Sequence, residues 1–161
     1  MRIKRKHVVL GVFTAAVAAQ IVPMATTNPP VEPTDSIYAK LSVPPVVAGI
    51  FERSCLDCHS SQTAWPWYSR VAPISWLIVS DVNRGRSELN LSEWGRYTPR
   101  RKDRKLKEIC DQVRSGEMPM KVYTLVHPRA KLTDPDRKAM CDWTNAARRS
   151  LVASNPVALV Q

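Results

Sequence analysis

The stretch Cys55-Leu56-Asp57-Cys58-His59 decides how the rest of the chain is read. Two cysteines two residues apart, with a histidine directly after the second, form the attachment signature of c-type haem. Each thiol adds to one porphyrin vinyl group and leaves a thioether. Two intervening residues let a single helical turn present both sulfurs to one edge of the macrocycle. The imidazole that follows is placed for the iron as proximal ligand. Cys-x-x-Cys alone is shared with zinc ribbons and thioredoxin-like sites. A zinc site would want a second Cys/His pair at ligand spacing, whereas Cys110 and Cys141 stand alone and far apart. The spacing therefore predicts one haem c, bound covalently by Cys55 and Cys58, with His59 on the iron.

Upstream, Met1-Arg2-Ile3-Lys4-Arg5-Lys6 precedes an apolar run from Val8 through Val22. A positive segment followed by an apolar one is the pattern of a secretory signal. Extended to Ala25, the run reaches about the length of a membrane span, weakened by Gln20 and Pro23. Residues 1–25 are thus expected to be a signal peptide or a membrane anchor, with the basic cluster left in the cytoplasm. Export suits the motif, because c-type attachment in bacteria takes place outside the cytoplasm. The expected location is the periplasm, on the inner membrane if the segment stays. Residues 26–43, with Pro29, Pro30 and Pro33, read as a semi-rigid linker. Residues 44–150 are the expected haem domain and 151–161 a tail without a motif.

Within the domain the periodicity is helical, and the predicted class is all-α. A helix from Pro45 carries Val47, Ile50, Phe51 and Ser54 on one face and delivers the haem motif at its end. Pro73 to Leu89 reads as a second helix with Ile74, Leu77, Ile78 and Val82 as its stripe. Thr98 caps a third, with Pro99 in its first turn, Leu106, Ile109, Cys110 and Val113 inward, and Gly116 as the stop. Residues 117–131 read as irregular. Thr133 to Asp136 opens a last helix with Ala139, Met140, Trp143 and Ala147 inward. Trp65-Pro66-Trp67-Tyr68 is dense in aromatics for a chain that is 7% aromatic. Trp65, Trp67 and Tyr68 are the expected haem-pocket walls.

The sixth iron position decides function. Met118 leads, in a loop just past a helix end. Met120 and His127 are the alternatives. A filled His/Met pair predicts an electron carrier rather than an enzyme. An open position would instead make a haem sensor or a peroxidase-like enzyme, with His127 or Arg70 as distal group. The charge is +10, from 24 Lys+Arg against 14 Asp+Glu. Arg2, Lys4, Arg5 and Lys6 carry four of those charges, which leaves 20 against 14, or +6, for the rest. That balance suits an acidic redox partner protein or anionic headgroups. No nucleic-acid motif accompanies it, so nucleic acid is not an expected partner.

Cys55 to His59, then 65–73 (WPWYSRVAP), Ser92-Glu93-Trp94, Gly116-Glu117-Met118-Pro119 and His127-Pro128 together resemble the bacterial haem-binding domain family. The resemblance spans about Pro44 to Ala147 and implies a small, mainly helical c-type cytochrome domain. Gly-x-Met-Pro is also similar to the methionine-ligand loop of class I cytochromes c. By that likeness, the helix with Gly49 and Phe51 would cross the one with Trp143. Met120 departs from the pattern, standing where a second proline is expected, which leaves Met118 and Met120 in competition. Cys110 and Cys141, two leftover thiols in an oxidising compartment, are expected to pair in a disulfide.

Overall fold

A computed structural model describes residues 5–22 and 24–154. Arg2, Lys4, Pro23 and the tail beyond Ser154 lie outside these. The described residues form eight α-helices joined by loops and 3₁₀ turns, with no strand among them. The helices are α1 (Arg5–Ala19), α2 (Ile37–Lys40), α3 (Pro45–Ser54) and α4 (Leu56–His59), then α5 (Ile74–Glu88), α6 (Pro99–Ser115), α7 (Lys121–Val126) and α8 (Asp134–Ser154). The all-α expectation holds.

The core is built where α6 packs along α8 and α3 crosses α8. Val47, Ile50, Phe51, Leu106, Ile109, Val113, Met140 and Trp143 are buried there. The Phe51 ring meets Trp143 edge-on with centroids 5.5 Å apart, a geometry the ring quadrupoles favour. The predicted crossing of these two helices is therefore present. Gly49 does not mediate it, since a Cβ at that position would meet nothing within 4 Å. Cys110 and Cys141 form a disulfide that fastens α6 to α8, with Cα atoms 4.7 Å apart.

Helix ends follow local chemistry. The Thr98 hydroxyl accepts from the Arg101 amide at 3.3 Å and starts α6. Gly116 ends it at φ 76°, a left-handed conformation that glycine adopts without Cβ strain. Thr133 and Asp136 cap α8 reciprocally: Asp136 Oδ2 accepts from the Thr133 amide at 2.9 Å, and the Thr133 hydroxyl accepts from the Asp136 amide at 3.3 Å. The cations of α6 are largely tied down. Lys105 Nζ reaches Glu108 at 2.6 Å, and the Arg101 guanidinium lies 4.1 Å over the Tyr97 ring.

Three expectations change. Residues 26–43 do not stand clear as a linker. Ile37 is fully buried in the core, and α2 packs against the 3₁₀ turn Leu91–Arg96. Arg96 pairs with Asp35 at 3.0 Å. Proline content signalled an extended chain, but Ile37, with Leu41 and Val43 packed against the core, docks it. The stripe of α5 is also rotated. Ser75, Val79 and Val82 face inward, while Ile74 and Leu77 are 48% and 68% exposed. Small serines allow the close packing of α5 on the turn Trp67–Arg70, and hydropathy does not register that. Finally, 117–131 contains α7, whose Val122, Leu125 and Val126 are exposed. A six-residue helix without a buried apolar stripe leaves no periodic signal. No helix among the described residues is long and apolar enough to cross a membrane.

Candidate functional site

The haem motif occupies one helical turn. The α3 helix ends at Ser54, Cys55 departs from helical geometry at φ −129°, and α4 begins at Leu56. The Cys58 and His59 amides both donate to the Cys55 carbonyl, at 3.2 and 2.9 Å. The two cysteines are free thiols. Burial pushes the Cys55 thiol up to about 12 and the Cys58 thiol up to about 11, so both stay as S–H.

Two neighbouring helices, α5 and α7, hold this turn. On α5, Gly85 lies so close that a Cβ there would sit 2.5 Å from the Cys58 carbonyl oxygen. Arg86, one residue on, grips the exit from the motif. It donates to the Ser60 carbonyl at 2.8 Å, Thr63 Oγ1 at 2.8 Å and Asn28 Oδ1 at 2.7 Å. From α7, the Tyr123 hydroxyl donates to Asp57 Oδ2 at 2.8 Å. Burial, and then the Asp57 carboxylate, raise the Tyr123 pKa, so the phenol keeps its proton.

His59 is set for ligation. Its Nδ1 lies 3.0 Å from the Gly85 carbonyl and 3.1 Å from that of Leu89. Carbonyl oxygens only accept, so Nδ1 must carry the proton and Nε2 the lone pair. Burial lowers the His59 pKa, chiefly by disfavouring the imidazolium. A neutral ring, locked by its far nitrogen with the near nitrogen bare, is how metal-binding histidines are oriented.

The remaining candidates disperse. Tyr68 reaches His127, its hydroxyl 3.1 Å from Nε2. His127 Nδ1 lies 3.3 Å from the Tyr123 carbonyl, and the two rings stack at 4.3 Å. Both His127 nitrogens are thus engaged. Trp67 is 77% exposed. Trp65 turns toward the N-terminal segment and donates to Asn28 Oδ1 at 3.1 Å. Met118 and Met120 are half-buried on either side of Pro119. The Met118 amide donates to Gln112 O at the cap of α6. No described contact joins either methionine to His59. Sequence reasoning missed Gly85, Arg86, Tyr123 and Asp57 as supports of the motif. Asp57 sits inside the motif, and a carboxylate there was the available signal.

Two free thiols on one turn and an imidazole with a bare Nε2 are the donor set that c-type haem requires. Zinc would need a further donor. Among the described residues, no three or more His, Cys, Asp or Glu side chains come together as a metal site. A family model described as a haem-binding domain matches residues 14–146. No curated protein matches, and no solved structure does.

Proposed function

The chain belongs to the haem-binding domain family, and from that premise we propose that it is a monohaem c-type electron carrier facing the periplasm. Haem held at this turn supplies a one-electron iron couple. The observation that carries the reading is His59, with Nδ1 fixed by two carbonyls and Nε2 bare. Cys55 and Cys58 tether the macrocycle, and the Gly85 and Leu89 carbonyls set the imidazole plane. Met118 supplies the distal thioether. His127 is the weaker ligand, because ligation would cost it the Tyr68 or Tyr123 partner. Residues 1–25 direct the domain out of the cytoplasm.

The test is a pyridine haemochrome assay, with ferric and ferrous spectra, on full-length protein matured with a haem-attachment system. One covalent haem per chain and a low-spin ferrous form indifferent to carbon monoxide are expected. Cys55→Ser or Cys58→Ser should each leave one thioether and shift the reduced spectrum. A folded, zinc-loaded and haem-free product would overturn the proposal. Deleting residues 1–25 should leave the chain in the cytoplasm without covalent haem. The Tyr68–His127 pair, a polar group linked through Tyr123 to Asp57, favours a second reading as a sensor or peroxidase-like enzyme. Rapid carbon monoxide binding by the wild type would select it.

A further inference from the structure

The face of α5 that holds the motif does not end at the motif. Ile74, Leu77, Ile78, Asp81 and Gly85 recur at the spacing of one helix face. At its C-terminal end Gly85 abuts Cys58, closely enough that a Cβ would lie 3.1 Å from the cysteine's own Cβ. Asp81, one turn back, is half-buried on the same face. One further turn back, about 6 Å along the axis, the face becomes purely apolar and loses its protein cover. Leu77 is 68% and Ile74 48% exposed, with Ile78 half-buried between them. The adjacent face of the helix carries the core packing, through Ser75, Val79 and Val82.

We propose that Ile74, Leu77 and Ile78 are the apolar wall on which the porphyrin lies, extending along α5 from its bond to Cys58. This rests on the haem reading above. It adds an aliphatic wall on α5 to the aromatic residues Trp65, Trp67 and Tyr68 read from the sequence. The occupant is fixed by continuity. The same helix face touches the cysteine that carries the macrocycle, and a flat apolar ring tethered there covers uncharged aliphatic side chains.

Methyl NMR of the diamagnetic ferrous holoprotein tests this, using full-length protein labelled at isoleucine, leucine and valine. Ring current should displace the Leu77, Ile74 and Ile78 methyl resonances from the aliphatic envelope. Val152, exposed on α8, should stay within it. Leu77→Asp should lower the midpoint potential, because a carboxylate against the ring favours the ferric state, while Val152→Asp should leave it unchanged. Covalent haem present with all three residues at ordinary shifts, and a potential indifferent to Leu77→Asp, would overturn the assignment. The stripe would then be a surface for a partner or a membrane. Wild-type protein that acquires no haem would overturn the haem reading itself, a result the haemochrome assay separates from the first.

Discussion

Gly85 is where a single hydrogen in place of a methyl decides the position of the haem motif. Gly85→Ala would drive a Cβ into the Cys58 carbonyl, a backbone atom that cannot rotate away. Overpacking of this kind costs about 1–3 kcal/mol. A matching fall in the denaturation midpoint is expected, together with a reduced haemochrome yield, because both α4 and the His59 carbonyl partners are displaced. Met118 tests the distal side. If its sulfur ligates the iron, the ferric protein should show the weak far-red sulfur-to-iron band. Met118→Ala should then abolish the band, lower the potential and admit carbon monoxide, because a soft thioether favours the ferrous state. A silent Met118→Ala with the band lost in Met120→Ala would move the ligand two residues along.

Among the helices, α8 depends on its first turn. Burial alone would raise the Asp136 pKa. The Thr133 amide, the Arg53 guanidinium at 2.7 Å and the Thr133 hydroxyl outweigh it and hold the carboxyl below its ordinary value. Between the folded value and the unfolded value of about 3.9, the unfolded chain binds the proton and the folded chain does not. Stability therefore falls as pH drops through that window, and the contribution is complete above it. Asp136→Asn should flatten the acid limb of stability measured by denaturation from pH 5 downward. It should also lower stability at neutral pH, where the cap and the Arg53 pair are lost. An unchanged acid limb would mean that other carboxylates govern it.

Two long-range ties hold the whole molecule together. The Cys110–Cys141 bridge spans 31 residues, and closing a loop of that length in the unfolded chain is worth about 3–4 kcal/mol. The double variant Cys110→Ala, Cys141→Ala should lose roughly 2–4 kcal/mol in guanidinium denaturation while keeping the two motif thiols. The second tie is the N-terminal segment. Ile37 is fully buried, so Ile37→Ala should cost roughly 2–5 kcal/mol. A chain beginning at Pro44 should be less stable still. If that shortened chain matches the full chain in its unfolding midpoint, residues 26–43 contribute nothing to the fold.

Haem binding and the main helices were legible in the sequence because local rules govern them. A haem signature is a matter of spacing along one turn. Helices α3, α6 and α8 declare themselves by apolar periodicity, Thr98 and Thr133 caps and the Gly116 stop. Tertiary structure alone decided what depends on neighbours distant in sequence. It turned α5 so that Ser75, Val79 and Val82, not Ile74 and Leu77, face inward. It docked Ile37, set Gly85 against Cys58, and gave His59 its tautomer through two carbonyls 26 and 30 residues away. Periodicity records how apolar a face is, not which other element arrives to cover it. Only the folded chain brings the backbone of one helix close enough to another to exclude a methyl group or to fix a proton.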